Sequence, residues 1–314
     1  MIDNIKLVFT NKEPIEKWLL ENSEKFNVKR NSILNDAQTI EIYPIIAKHK
    51  NIEIRICEKI AYIQGSLHKM YNNYVLEQKK HPEDYHYLDD NNYNDFHHLE
   101  IIHALELFRE YFDGLDIDSA SITELEFGFN LNTKEDPRKY IEQNFLLLNH
   151  KAPISNYSER GKCFKQFKHS RFYFKVYSKK AQKNLTNNIM RIEIVLKKQD
   201  LKLIQIHCFN DLFKEEAIDN LYSLFCEKLD GFILVDNRNE RKDIPVPIKD
   251  KIGNLLEPSF WKSKIGYSNI NRKKKKLQNL LEDYDLLNVK NYILKLIHSK
   301  YEKLRFYNID DESD

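Results

Sequence analysis

Four stretches of the chain alternate apolar and polar residues with a period of two, which is typical of strands with one buried and one open face. The stretches are 59–69, 122–131, 171–177 and 190–197. In each of them the apolar side chains fall on one face and leave the other face to polar groups. The predicted open faces carry His68, Glu126, Tyr173, Lys175, Tyr177, Arg191 and Glu193.

A second periodicity, with apolar residues every three or four positions, predicts helices between these strands. One helix covers 96–112, follows the N-cap candidates Asn94 and Asp95, and ends before Gly114. Another covers 137–148 and begins with a proline, which suits the first turn of a helix. The helices are expected to cover the apolar face of the sheet.

The order of these elements predicts an α+β fold. We expect an antiparallel sheet with helices on one face and an open catalytic face, followed by a mainly helical C-terminal region. The polar, proline-containing stretch 236–250 is typical of a linker. The predicted organisation is therefore one domain over 1–235, and a linker with a basic helical region over 236–314.

Charge is distributed unevenly along a chain whose formal net charge is only +2. Residues 160–192 contain no acidic side chain but ten basic ones, interleaved with Phe and Tyr. Rings that stack on bases, set among cations that neutralise phosphates, suit single-stranded nucleic acid. The candidate DNA contacts are Lys69, Lys162, Lys165, Lys168, Arg171, Tyr173, Lys180 and Arg191. A lysine-rich solvated strand and loop would have the same composition, so that alternative stays open.

Other protein classes are disfavoured by what the sequence lacks. Cys57, Cys163, Cys208 and Cys226 form no CxxC pair, which indicates reduced thiols and neither a zinc knuckle nor a disulfide framework. No GxxxxGK[ST] motif is present, so an ATP-driven motor is not predicted. No apolar run approaches the ~20 residues of a membrane span, so we expect a cytoplasmic protein without a membrane partner.

Tyrosine on an open strand face is a candidate nucleophile only where its surroundings favour the phenolate. A phenol has an unperturbed pKa of about 10, so it needs a neighbouring cation or metal ion, and the attacked phosphate needs its charge neutralised. Lys175, Glu126 and Glu193 meet these needs, because carboxylates bind hard cations such as Mg²⁺ or Mn²⁺, and His68 is a further candidate ligand. Attack on DNA would yield a 5′-phosphotyrosine and a free 3′-hydroxyl. Solvated side chains and cross-strand pairs are the alternative explanation of these residues.

Five short motifs at these same positions resemble the gene II/X family of phage and plasmid replication initiators. In order along the chain, the motifs are Gly65–Lys69 (GSLHK), Asn92–Phe96 (NYNDF), Leu125–Asn130 (LEFGFN), Lys175–Gln182 (KVYSKKAQ) and Met190–Glu193 (MRIE). The opening Met1-Ile-Asp3 is also typical of that family. The resemblance spans roughly residues 1–235.

This resemblance implies a rolling-circle initiator, which nicks one origin strand, stays linked to it and rejoins it after a round of synthesis. By carry-over, Tyr177 is the nucleophile, Lys175 and Lys179 are its cationic neighbours, and Glu126 and Glu193 are acidic residues of the sheet. The implied cofactor is a divalent metal ion, Mg²⁺ or Mn²⁺. The implied partners are single-stranded and origin DNA, with a host helicase and a polymerase.

The residues leave several alternatives open. The chain lacks the pair of histidines flanking one hydrophobic residue that many rolling-circle nucleases show, which bears on the metal ligands. Tyr173 competes with Tyr177 because it lies four residues earlier on the same face. A non-catalytic single-strand binding protein, and a nuclease that uses water as its nucleophile, would share the same polar face.

The C-terminal region has two interpretations of its own. Residues 272–276 are all basic and lie near Trp261 and Tyr267, which suits docking on origin duplex. A lysine run is also the ordinary solvated side of a helix. The acidic tail after Asn308 is expected to be disordered.

Overall fold

Strands and helices alternate in the first two thirds of the chain, and helices follow. The computed structural model describes residues 1–30, 33–34, 40–41, 43–157, 163–262 and 267–306, so Lys162 and the tail after Asn308 lie outside the described residues. The strands are β1 (Ile2–Phe9), β2 (Asn27–Arg30), β3 (Ile33–Leu34), β4 (Ile40–Glu41), β5 (Ile45–His49), β6 (Ile52–Ile56), β7 (Ala61–Ser66), β8 (Ser121–Asn132), β9 (Phe145–Leu148), β10 (Ser155–Tyr157), β11 (Phe164–Lys168), β12 (Phe172–Ser178), β13 (Ile189–Lys197) and β14 (Phe232–Leu234).

Helices occupy both the gaps between strands and the C-terminal region. They are α1 (Glu13–Glu21), α2 (Leu67–Glu77), α3 (His98–Tyr111), α4 (Pro137–Gln143), α5 (Lys179–Lys183), α6 (Lys198–Leu203), α7 (Ala217–Asp230), α8 (Val246–Leu256), α9 (Pro258–Lys262), α10 (Tyr267–Asp283) and α11 (Asn288–Phe306). Within the described ranges, none of them combines the length and apolar character needed to cross a bilayer.

Among the described residues, ten strands form one sheet in the order β10-β11-β12-β13-β8-β1-β7-β6-β5-β2. Every strand pairing whose register is described is antiparallel. Two small sheets pair β9 with β14 and β3 with β4. The predicted α+β fold, with an antiparallel sheet and a helical C-terminal region, is confirmed.

The chain divides into two compact units. The first comprises Met1–Gly128, Val195–Ser223 and the stretch from Leu304, and the second comprises Phe129–Ile194 and Leu224–Lys303. Because the boundaries fall inside β8 and β13, these two strands belong to both units.

Aromatic packing forms much of the core of the first unit. Phe108 of α3 stacks on Phe209 at 5.5 Å between ring centroids and contacts Phe112 at 5.0 Å. Trp18 of α1 contacts Phe112 at 5.1 Å, and its indole N–H donates to the Asp113 carbonyl over 2.9 Å. The indole polar group is therefore satisfied while its ring is buried.

In the second unit, one face of β12 is covered by apolar side chains. Phe174 of β12 is fully buried and contacts Phe225 of α7 at 5.6 Å and Phe232 of β14 at 5.0 Å. Phe129 contacts the Phe225 ring, and Phe145 contacts the Phe232 ring, each with centroids 5.4 Å apart. Because side chains alternate along a strand, the opposite face of β12 is left to polar groups.

The predicted strand 59–69 is wrong at its end. β7 stops at Ser66, whose hydroxyl oxygen accepts a hydrogen bond from the Lys69 backbone N–H over 3.1 Å and so caps α2. His68 and Lys69 therefore lie on the first turn of a helix. A serine at the end of a strand can serve as either the last strand residue or an N-cap, and here it serves as both.

Two predicted helices differ from the observed ones. α3 begins at His98, because the Glu100 carboxylate accepts from the His97 backbone N–H over 2.7 Å and sets the start of the helix there. The predicted helix 137–148 ends as α4 at Gln143, and its remainder pairs as β9 with β14. That pairing depends on a strand more than 80 residues away, which local periodicity does not report.

The C-terminal helices have an apolar core of their own. Buried leucines and isoleucines of α8 and α10 pack together with Leu286, which precedes α11. The Asp236 carboxylate accepts from the Val289 backbone N–H over 2.8 Å and so fixes the start of α11. The predicted linker 236–250 thus already contains the first turn of α8.

We expect Phe174→Ala to lower the free energy of unfolding by about 3–5 kcal/mol, because it empties a fully buried ring site. Urea denaturation followed by circular dichroism measures this loss. Phe306→Ala is the matched control, since that ring is 61% exposed and its removal is expected to cost less than about 0.5 kcal/mol. Equal losses in the two variants would contradict the assignment of the buried face.

Candidate active site

Tyr177 lies near the end of β12, on the strand face opposite to the buried phenylalanines. Tyr173, Lys175 and Tyr177 are half-buried, and the residues between them are buried, as the alternation predicts. The next residue, Ser178, accepts from the Ala181 backbone N–H over 3.1 Å and starts α5. The turn from strand to helix therefore follows Tyr177 immediately and holds Lys179 beside it.

Glu193 of β13 is the residue on which three polar side chains converge. The Tyr177 hydroxyl donates to its Oε2 over 3.2 Å, and the Lys175 Nζ lies 3.1 Å from its Oε1. The Arg191 Nε donates to Oε2 over 2.5 Å, and another guanidinium nitrogen donates to Asn130 over 3.2 Å. Glu193 is 2% exposed, so the two cations compensate a charge that has been removed from water.

The burial of Arg191 and Glu193 corrects the prediction that both lie on an open face. Arg191 is 3% exposed, and β13 is buried along almost all of its length. The physical reason is that β13 is an interior strand of the sheet, between β12 and β8. Charges on such a strand are retained only when they pair with each other, and these do.

Three carboxylates from neighbouring strands come together. Asp3, Glu126 and Glu193 each offer one oxygen, and these oxygens all lie within 4.8 Å of one another. Their strands, β1, β8 and β13, are adjacent in the sheet. A group of carboxylate oxygens is the donor set that Mg²⁺ and Mn²⁺ prefer, so the residues fit a hard divalent cation.

Asp3 reaches this group through an irregularity in β1. Ile2 pairs with Phe127 and Ile5 with Leu125, so β1 has one residue more than β8 between these pairs. Such a bulge changes which face a side chain occupies. Ile2 and Ile5 are therefore both fully buried, and Asp3 between them can lie with Glu126.

The Asp3 carboxylate is held by two donors. The Ser66 hydroxyl donates to its Oδ1, and the Asn92 side-chain amide donates to its Oδ2 over 2.6 Å. Asp3 is 4% exposed, and hydrogen bonds of this kind stabilise a buried carboxylate. Asp3 is a member of the carboxylate group that was not predicted from the sequence. Its signal was an aspartate between two isoleucine positions at the start of β1, in the opening tripeptide that resembles the gene II/X initiators.

His68 was predicted as a metal ligand, and it occupies a different setting. It is buried on α2, and its ring stacks on Phe96 with centroids 4.4 Å apart and planes 4° apart. Among the described residues, the carboxylate group is composed of Asp3, Glu126 and Glu193 and does not include His68. Its role as a ligand stays a prediction.

Lys179 contacts the nucleophile candidate from the following helix. It is 3% exposed, and its Nζ lies 5.3 Å from the centre of the Tyr177 ring. Phe164 of β11 contacts the same ring, with centroids 6.2 Å apart. A nearby ammonium group favours a phenolate over a phenol through its charge.

The predicted DNA contacts separate by their exposure. Lys168 and Arg171 are exposed, and Tyr173 is half-buried on the face of Tyr177. Lys180 pairs with Asp136 over 3.1 Å, and Lys69 pairs with Asp90 over 3.2 Å. All five of these side chains are at least partly exposed to solvent.

Lys165 is a different case, because its ammonium group is used inside the protein. It is 5% exposed, and its Nζ donates to the backbone carbonyls of Glu142 over 3.1 Å and Phe145 over 3.0 Å. Burial lowers the pKa of this lysine. Its hydrogen bonds join β11 to the end of α4 and the start of β9, so the side chain stabilises the packing of these elements.

Comparison with solved structures finds chains of similar structure. No protein-family model matches the chain, and no curated protein matches it. A solved structure of a rolling circle replication initiator protein from Geobacillus stearothermophilus is similar to it, with a TM-score of 0.40 and 12% sequence identity. The match covers 77% of this chain and 89% of that one.

Proposed function

We propose that this protein is a DNA replication initiator that nicks a single strand of origin DNA and transfers it to Tyr177. The observation that carries the proposal is the hydrogen bond from the Tyr177 hydroxyl to Glu193, next to Lys175 and Lys179. A phenol with a carboxylate as its acceptor and ammonium groups around it has the surroundings that a tyrosine nucleophile needs.

The reaction follows from these contacts. The Tyr177 oxygen attacks the phosphorus of a phosphodiester, its proton passes to Glu193 Oε2, and the bond from phosphorus to the 3′-oxygen breaks. The released 3′-oxygen takes a proton from water and becomes the 3′-hydroxyl. The 5′-phosphate remains on Tyr177, and attack by a 3′-hydroxyl reverses the step and rejoins the strand.

Asp3, Glu126 and Glu193 are the residues that would hold a divalent metal ion. Mg²⁺ or Mn²⁺ bound there would neutralise the non-bridging oxygens of the attacked phosphate. The protein side contributes position: Ser66 and Asn92 fix Asp3, and Lys175 and Arg191 fix Glu193.

The DNA strand is proposed to lie along the polar face of β11 and β12. Phe164 pairs with Tyr177 in the strand register, and Lys168 pairs with Tyr173. Rings at these positions can stack on bases while Lys168 and Arg171 meet phosphates. A non-catalytic single-strand binding protein would use the same face, so covalent linkage is the property that separates the two functions.

We expect wild-type protein with Mn²⁺ to form an adduct with single-stranded DNA that survives denaturing electrophoresis. A strand labelled at its 3′ end should migrate with the protein, and the same strand labelled at its 5′ end should appear as a shorter free fragment that a polymerase can extend. Tyr177→Phe removes the attacking oxygen and should reduce the adduct to background.

Tyr173→Phe is the matched control for this experiment. It lies four residues earlier on the same face of β12 and should keep the adduct, because the hydroxyl proposed to attack is that of Tyr177, which donates to Glu193. Cleavage without linkage would assign the attack to water, and binding without cleavage would assign a binding protein. An adduct that persists in Tyr177→Phe and disappears in Tyr173→Phe would transfer the role to Tyr173.

We expect Glu126→Gln to weaken Mn²⁺ binding at least about 10-fold, because it removes one of three carboxylate ligands. Titration followed by the electron paramagnetic resonance of free Mn²⁺ measures binding without requiring activity. Glu124→Gln is the control, since that residue lies two positions earlier on β8 and outside the carboxylate group. Equal Mn²⁺ affinity in wild type and Glu126→Gln would contradict the metal site.

A further inference from the structure

The basic run of the C-terminal region lies on α10, and its lysines divide between two clefts. Four consecutive lysines, 273–276, occupy one turn of that helix. Lys274 and Lys275 line a cavity of about 320 Å³, and Lys273 and Lys276 line another of about 500 Å³. Because successive helical residues point about 100° apart, a run of four distributes positive charge around more than one side.

Each cleft receives one more lysine from a neighbouring helix. Lys290 of α11 lines the first cleft, and Lys251 of α8 lines the second. Each cleft also contains one aspartate, of which Asp230 pairs with Lys290 over 2.9 Å. Three lysines against one aspartate leave both clefts positive.

The lysines supply this positive charge without help from histidine. Burial, and next to it the charge of Lys274, lower the pKa of His150 to about 4, so this lining residue is neutral at pH 7. Its ring contacts Trp261 with centroids 4.1 Å apart. The Lys273 Nζ lies 4.5 Å from the centre of the Phe260 ring, so this ammonium group lies against α9.

The geometry points to a polyanion with two rows of phosphate. A helix with its side chains is about 10–12 Å across, and the major groove of B-form DNA is about 12 Å wide. Lysines on two sides of α10 can therefore meet the phosphates on two sides of one groove. The exposed residues of α10 include Asn271, Arg272 and Asn279, which are residue types that hydrogen-bond base edges in that groove.

The central part of α10 itself offers no stacking ring to a single strand. Between Asn269 and Asp283, α10 has no aromatic residue on which an unpaired base could stack. Its carboxylates are confined to Glu282 and Asp283, at its C-terminal end. This surface contrasts with the polar face of β12, where Tyr173 and Tyr177 alternate with Lys175.

We propose that α10 is a duplex-docking helix, which seats in the major groove of DNA with its two lysine clefts against the phosphates of the two strands. This assigns the basic run to DNA docking, the first of its two interpretations. It adds a second DNA contact to the proposed function and does not rest on it, because duplex binding is measured without strand cleavage.

The test is the salt dependence of duplex binding in Lys275→Gln/Lys276→Gln, which removes one exposed lysine from each cleft. Fluorescence anisotropy with a blunt, labelled duplex, between about 50 and 200 mM salt, measures affinity and its slope against log salt. Loss of two phosphate contacts should weaken duplex binding and reduce the slope by about two. Affinity for a single strand of the same length, and the Tyr177 adduct, should be unchanged.

The control is Lys198→Gln/Lys202→Gln, a pair of exposed lysines on α6, which should leave the duplex slope unchanged. An unchanged slope in the α10 variant would overturn the proposal, and so would an equal loss of affinity for single-stranded and duplex DNA. If neither the wild type nor any variant forms the Tyr177 adduct, that result contradicts the nicking function alone. The duplex titration would still measure DNA binding by α10.

Discussion

The candidate site depends on the buried carboxylate of Glu193, on which its tyrosine and two of its cations converge. A carboxylate that is 2% exposed is retained only if cations and hydrogen-bond donors replace its water. Lys175, Arg191 and the Tyr177 hydroxyl supply those replacements. Leaving such a charge without one of its cations typically costs about 3–5 kcal/mol. The same contacts that satisfy Glu193 therefore also hold the tyrosine and its neighbouring lysine in place.

The strand β12 links this charge to the core. Its two faces are chemically different, with Phe174 packed against α7 and β14 on one side and Tyr177 directed to Glu193 on the other. Packing of the apolar face fixes the strand, and the strand then fixes its polar face. Ser178 ends the strand as the cap of α5, so Lys179 is brought to the Tyr177 ring by the turn itself. Core stability and site geometry are consequently set by the same seven residues of strand.

The acidic group uses local irregularities rather than regular strand geometry. The bulge in β1 lets Asp3 lie with Glu126 although Ile2 and Ile5 are both buried. Ser66 donates to Asp3 and at the same time accepts from the backbone of α2, so one hydroxyl serves a strand end, a helix start and a carboxylate. A carboxylate placed in this way does not disturb the alternation of the neighbouring strand. A prediction that assumes strict alternation along a strand does not find a carboxylate at a bulge.

The sequence by itself determined the fold class, the polar faces of β8 and β12 and the helical C-terminal region, because strand and helix periodicities are local properties of adjacent residues. It also predicted polar strand faces for Tyr177, Glu126 and Glu193, and the resemblance to the gene II/X family gave these candidates their expected roles. Only the tertiary structure decided that Arg191 and Glu193 are buried, that residues 145–148 form a strand and that Asp3 joins the acidic group. It also decided that Lys165 donates hydrogen bonds to two backbone carbonyls, whereas Lys168 is exposed. Each of these features depends on which strand, distant in sequence, pairs with or packs against the residue. Burial, charge pairing and bulges arise from that neighbouring strand and not from the local sequence around the residue.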